Sequence, residues 1–173
     1  MGVSPTHEIF LALGSNLGDR LGNLQIAVRL MPSKVHITSA SQVYETPPWG
    51  YQEQPPFLNQ VVRGKTRLKP EALLKYLKQL EIQMGRQPSV RYGPRLIDID
   101  ILFYDDLIQE KGDLTIPHPR LHERAFVLVP LADLAPDYRH PIRGETVHQL
   151  LAQVDTHQIR LYQPEGTIVD HTG

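Results

Sequence analysis

Short apolar runs separated by glycine and proline set the rhythm of this chain. Ile9-Phe10-Leu11-Ala12-Leu13 is continuously apolar and stops at Gly14, the pattern of a buried strand. Gly14 to Asp19 reads as a turn, with Asp19 placed to cap a helix. Leu21, Leu24, Ala27, Val28 and Met31 then recur at helical spacing, and Pro32 closes that helix. Val35 to Tyr44 is rich in β-branched and small residues and predicts one strand. Glu45 to Pro56 holds Pro47, Pro48, Gly50, Pro55 and Pro56, which remove amide donors and predict no regular structure. Phe57 to Thr66 predicts a second long strand. Pro70 suits the first turn of a helix, Leu73, Leu74, Leu77, Leu80 and Met84 form its apolar stripe, and Gly85 ends it.

Gln87 to Pro94 is a polar loop, and Leu96 to Tyr104 is the clearest strand in the chain. Asp105-Asp106 predicts a turn, Leu114 to Ile116 a short returning strand, and Leu121 to Leu134 a helical region punctuated by proline. Beyond Ala135 the periodicity weakens, and residues 156–173 read as a tail or a late strand. The order β-α-β-β-α-β predicts an α+β protein: a ferredoxin-like sandwich, its antiparallel sheet backed by helices on one face, with C-terminal additions. All 173 residues read as a single catalytic domain.

Strand alternation changes the picture at Leu96–Tyr104. Ile97, Ile99, Ile101 and Phe103 should share an apolar, core-facing side, leaving Leu96, Asp98, Asp100 and Leu102 on the other. Asp98 and Asp100 then stand side by side, about 6–7 Å apart along the strand. Two carboxylates so close repel unless cations intervene. An Asp-x-Asp can simply line a solvated sheet face. Here Arg91, Arg95 and His118 fall near the same strand, and carboxylates for a metal beside cations for phosphate oxygens are what phosphoryl transfer requires. Mg²⁺ fits, because it takes hard oxygen ligands and keeps waters and substrate phosphates in its shell.

Composition narrows the partners. The net charge is −1 and cysteine is absent. There is no basic excess for non-specific nucleic-acid binding and no apolar run long enough to span a bilayer, and no disulfide, thiolate metal site or signal peptide is expected. No nucleic-acid or membrane partner is expected, and a cytoplasmic monomer is. The fifteen prolines are dispersed between periodic segments, as in a folded domain with rigid turns.

Other constellations admit two readings each. Gly14-Ser15-Asn16-Leu17-Gly18 has the placement of a phosphate loop but lacks its lysine, and reads as a tight turn. Thr46-Pro47-Pro48-Trp49 is either a loop plugged by the only tryptophan or a rigid edge for reading a flat heterocycle. Phe57 and Asn59, two apart on one strand face, would suit a pterin or purine, or serve as a core aromatic and a turn-proximal amide. His118, held between prolines, is either structural or a phosphate contact. Among alternative functions, a nucleotidyltransferase would pair Gly14-Ser15 with Asp98 and Asp100, but those segments lie far apart in sequence. A ferredoxin-like RNA-binding module would want a basic, aromatic sheet face rather than paired carboxylates.

The segment Arg91-Tyr92-Gly93-Pro94-Arg95-Leu96-Ile97-Asp98-Ile99-Asp100-Ile101-Leu102 resembles the signature of the 6-hydroxymethyl-7,8-dihydropterin pyrophosphokinases of folate biosynthesis. Leu13 to Gly18, Tyr44 to Pro48, Phe57-Leu58-Asn59, Glu81 to Arg86 and Ile116 to Phe126 also match, in order, so the resemblance covers roughly residues 8–155. It implies transfer of diphosphate from ATP, the co-substrate, to the pterin hydroxymethyl group, with AMP released. It assigns Asp98 and Asp100 to two Mg²⁺ ions, and Arg91 and Arg95 to catalysis beside them. Glu81, Arg91, Tyr92, Arg95, Ile101, Thr115, His118 and Arg124 would surround ATP. Thr46, Pro47, Pro48, Trp49, Phe57, Asn59 and Phe126 would form the pterin site, with Phe57 and Phe126 sandwiching the ring. Phe57 stands where many relatives carry Tyr, and Tyr92 where many carry Trp.

Overall fold

The computed structural model describes residues 5–47, 53–85 and 96–164. Its elements are β1 (His7–Ser15), α1 (Arg20–Leu30), β2 (Val35–Ala40), β3 (Tyr44–Thr46), β4 (Phe57–Thr66), α2 (Pro70–Gln83) and β5 (Asp98–Tyr104). A hairpin of β6 (Gln109–Lys111) and β7 (Leu114–Ile116) follows, then α3 (Ala125–Leu134), α4 (Val147–Leu151) and β8 (Arg160–Leu161). The main sheet runs β5-β1-β4-β3-β8, with β2 also paired to β4, and every pairing is antiparallel. The strands of the β-α-β-β-α-β core therefore take the ferredoxin-like order.

Local chemistry explains most boundaries. Asp19 accepts the Gly22 amide at 3.0 Å and caps α1, an interaction worth about 1 kcal/mol. Pro70 opens α2, and Gly85 follows it at φ +91°, a left-handed conformation that favours glycine. The predicted strand Val35–Tyr44 is two strands. At the break the Ser41 hydroxyl, not a backbone carbonyl, accepts the Val61 amide at 2.9 Å. Glu45 and Thr46 are regular structure after all: they pair with Leu58 and Phe57 and extend the sheet as β3. The prolines expected to forbid this begin only at Pro47.

The sheet separates two cores. Ile9, Leu11 and Leu13 of β1 and Ile99 and Ile101 of β5 meet α1 and α2 through Leu24, Ala27, Met31, Leu73, Leu77 and Leu80. On the opposite face Phe10, Val61, Leu102 and Phe103 pack under α3 and α4 through Val127, Leu128, Leu131, Val147 and Leu150. The C-terminal additions thus cover the second face, giving a helix–sheet–helix sandwich.

Phe103 corrects a simple alternation. The β1–β5 register runs Leu13↔Ile99, Ala12↔Asp100, Leu11↔Ile101, and then Phe10↔Phe103, so Leu102 is an inserted bulge residue. The bulge turns Phe103 away from Ile101 and onto the second face. There it meets Phe10 edge-on at 6.0 Å between ring centroids and Tyr138 at 4.8 Å. The extra residue's carbonyl accepts the His118 amide at 3.0 Å, which ties the segment after β7 to the outer edge of β5.

Candidate active site

Asp98 and Asp100 begin β5 on the second face, at the end of the sheet beyond the cover of α3 and α4, and both are half-buried. Register places Gly14 opposite Asp98, and Asn59 opposite Gly14. Neighbouring strands lie about 4.8 Å apart, so Asn59 stands about 10 Å from Asp98 across a floor with no side chain. A methyl on Gly14 would stand 3.2 Å from Asn59 Oδ1 and 3.6 Å from Phe57 Cδ1. The glycine therefore keeps open the space that the two residues border.

Asn59 is fixed. Its amide donates to Thr46 Oγ1 at 2.7 Å, and both groups are buried. That bond uses one of the two Asn59 N–H groups and leaves its carbonyl oxygen directed at the floor beside Gly14. Phe57 lies two residues before it on the same strand, half-buried, and Pro47 is exposed just past Thr46. Phe126 is in the first turn of α3, the helix that packs on β4 and β3. Its ring lies 5.6 Å from the Arg124 guanidinium.

Asp100 opens to the other side, into a cleft of about 650 Å³ that it lines with Ile99, Ile101, Thr115 and His118. Burial holds the His118 imidazole below the usual histidine range, and the Arg124 and Arg120 cations push it further down against the opposing pull of Asp100. Its Nδ1 accepts the Arg120 backbone amide at 3.2 Å. The neutral ring therefore carries its proton on Nε2 and can donate from there.

The far wall of the cleft is α2, from which the sequence had offered only Glu81. Lys75 and Lys78 line it with Glu71 and Leu74. Glu81 is buried one turn beyond, with its carboxylate 3.3 Å from Lys78 Nζ. The two lysines recur at one helical turn on the same face, a signal present in the sequence but shared with any solvated helix.

The structure therefore brings Asp100, Ile101, Thr115 and His118 into one cleft with Arg124 nearby. It gathers Thr46, Phe57 and Asn59 into a second niche. Asp98 and Asp100 stand between the two. Pro48, Trp49, Arg91, Tyr92 and Arg95 lie outside the described residues. Among the described residues no three His, Asp or Glu side chains cluster as a closed metal cage. Two adjacent carboxylates fit Mg²⁺ nonetheless, since that ion is typically held by one or two carboxylates and completes its shell with water and substrate phosphates.

Comparison with known proteins agrees with this geometry. Residues 10–136 match the family model of 7,8-dihydro-6-hydroxymethylpterin-pyrophosphokinase. The 2-amino-4-hydroxy-6-hydroxymethyldihydropteridine pyrophosphokinase of Bacillus subtilis is 46% identical over 127 residues, covering 72% of this chain and 76% of that protein. The folic acid synthesis protein FOL1 of Dictyostelium discoideum is 44% identical over 158 residues, 91% of this chain. The chain spans only 23% of that longer relative. Among solved structures, wild-type Plasmodium falciparum HPPK-DHPS with pteroate superposes with a TM-score of 0.71 at 19% identity, covering 88% of this chain and 43% of that one, and so supports the fold. With most of its length matched, and with the paired carboxylates placed between two pockets, the chain belongs to the 7,8-dihydro-6-hydroxymethylpterin-pyrophosphokinase family.

Proposed function

We propose that this chain transfers a diphosphate from ATP to the hydroxymethyl group of 6-hydroxymethyl-7,8-dihydropterin, releasing AMP, as a step of folate biosynthesis. The observation that carries the proposal is the position of Asp98 and Asp100. Asp98 stands opposite the Gly14 floor of the niche, and Asp100 lines the His118 cleft.

In this reading the niche takes the pterin. Asn59, held by Thr46, meets the polar edge of the ring, and Phe57 and Phe126 cover its faces. Pro47, Pro48 and Trp49 complete that side. The cleft takes ATP against Ile101 and Thr115, with Glu81, Tyr92 and Arg124 around it. His118 Nε2–H donates to phosphate oxygen. Arg91 and Arg95 are assigned to the phosphates as cations. Asp98 and Asp100 would hold two Mg²⁺ ions, which when bound neutralise the triphosphate and favour attack at its β-phosphorus. The pterin hydroxymethyl oxygen bonds to that phosphorus as the bond from it to the α–β bridging oxygen breaks; the bridging oxygen leaves with AMP and the hydroxyl proton passes to water. No covalent bond to the protein is required. Its side chains align two substrates and hold charge where it develops.

No helix among the described residues is long and apolar enough to cross a membrane. A cytoplasmic monomer remains part of the proposal, and gel filtration with light scattering tests its oligomeric part. The face that an RNA-binding sheet would present is covered by α3 and α4, which disfavours that alternative.

Product analysis with ATP, Mg²⁺ and the hydroxymethyl-dihydropterin tests the reaction. One AMP for each pterin diphosphate is expected. ADP or free pyrophosphate as the main product overturns the reading.

A further inference from the structure

The two strands that carry the pterin niche are tied together at their ends by one side chain that sequence reading did not single out. Arg20 opens α1. Its Nη1 donates to the Pro56 carbonyl at 2.9 Å and lies 2.7 Å from Glu45 Oε2. Glu45 is the middle residue of β3 and precedes Thr46. Pro56 precedes Phe57, the first residue of β4. Arg20 therefore grips both flanks of the Thr46–Phe57 strand junction at once. Both contacts are made by the same nitrogen, whose two N–H groups point to different acceptors in the plane of the guanidinium.

A second contact comes from the far end of the chain. Arg20 lies over the Tyr162 ring at 5.5 Å. Tyr162 is set by its own amide, which donates to the Val43 carbonyl at 2.9 Å, and by β8, whose Arg160 and Leu161 pair with Glu45 and Tyr44. These residues lie beyond the matched family stretch of 10–136. They add an outer strand to β3 and an aromatic platform beneath the guanidinium. A ring under a guanidinium attracts the cation and holds the side chain in one orientation.

We infer that Arg20, seated on Tyr162 by the C-terminal strand β8, is a positioning residue that fixes Thr46, Phe57 and Asn59 for pterin binding. This rests on the pterin reading above. Arg20 touches no substrate in it. It acts by holding β3 and the start of β4 in register, so its loss should weaken the pterin site and leave the ATP cleft, on the opposite side of Asp98 and Asp100, unaffected.

The test compares Arg20→Ala, Arg20→Lys, Tyr162→Ala and Tyr162→Phe in the full chain. Arg20→Ala is expected to raise the pterin KM about tenfold, the scale of one lost charge-assisted hydrogen bond, while kcat and the ATP KM stay within twofold. Arg20→Lys keeps the charge but loses the planar group that lies over Tyr162, so it should fall between. Tyr162→Ala should raise the pterin KM a few-fold, and Tyr162→Phe, which keeps the ring, should restore it. Amide hydrogen exchange at 44–46 and 57–59 should quicken in Arg20→Ala but not in α2 or β5. An unchanged pterin KM, a parallel rise for both substrates, or a Tyr162→Phe variant as impaired as Tyr162→Ala overturns the inference. If the wild-type chain forms no pterin diphosphate, the proposed function fails. The exchange measurement then still decides whether Arg20 holds these strands together.

Discussion

Replacing Gly14 with alanine separates a structural glycine from one that makes room for a ligand. Its backbone lies outside the left-handed region, so alanine meets no conformational barrier there. Restricting the unfolded chain should favour the variant by about 0.4–1 kcal/mol. Against this, the new methyl stands 3.2 Å from Asn59 Oδ1, a few tenths of an ångström too close, and Asn59 is buried and tied to Thr46 at 2.7 Å. Shifting it weakens a bond worth about 1 kcal/mol. The two effects nearly cancel, so the melting temperature should move by less than about 4 °C. Pterin binding faces no such cancellation. A flat ring on the Gly14 floor loses its contact surface to the methyl, an overpacking cost of about 1–3 kcal/mol, or roughly 5- to 150-fold in KM. Thermal melts and steady-state kinetics with each substrate varied in turn provide the assay. A pterin KM within threefold of wild type at an unchanged melting temperature would refute the floor. So would a fall of more than about 10 °C, which would make Gly14 a packing residue instead.

Two further outcomes follow from the site and the fold. Asp100→Asn should cut kcat by about a thousandfold or more, because it removes a hard anionic ligand, while stability holds or rises slightly as one of two like charges disappears. Retained turnover would refute the metal assignment. His140 supplies a pH test away from the site. It is buried edge-on against Phe103, its Nδ1 accepts the Ile142 and Arg143 amides at 3.2 and 3.1 Å, and burial, aided by Arg143, holds it below the usual histidine range. The unfolded state therefore binds the proton more readily. The stability His140 contributes is fully present above about pH 6.5 and is lost as pH falls below it. Denaturant melts of wild type and His140→Gln from pH 8 to 5 should converge toward the acid end, and parallel curves would refute this.

Much of the chain could be read without coordinates. Phe57–Thr66, Leu114–Ile116, the Asp19 cap, the Pro70 start and the Leu73–Leu77–Leu80 stripe all stand as predicted, because each depends on residues a few positions apart. The side-by-side placement of Asp98 and Asp100 on β5 was legible for the same reason, since strand alternation is local. What escaped was set by partners distant in sequence. The Leu102 bulge that turned Phe103 over is fixed by pairing with Phe10 and by the His118 amide. The break between β2 and β3 depends on Ser41 meeting Val61. Lys75 and Lys78 look like ordinary helix-surface lysines until β5 and His118 form the other wall of their cleft. Residues 156–173 offered only a tail or a late strand. Tertiary pairing chose the strand at Arg160–Leu161, two residues too short to announce themselves, and set Tyr162 beneath Arg20. The order of the β-α-β-β-α-β core and the side-by-side placement of Asp98 and Asp100 are written in the chain, because propensity and periodicity act over a turn or a strand. Which side of the pair each pocket occupies is set by packing, because Gly14, Asn59, Thr115 and His118 come together only when the strands are laid side by side.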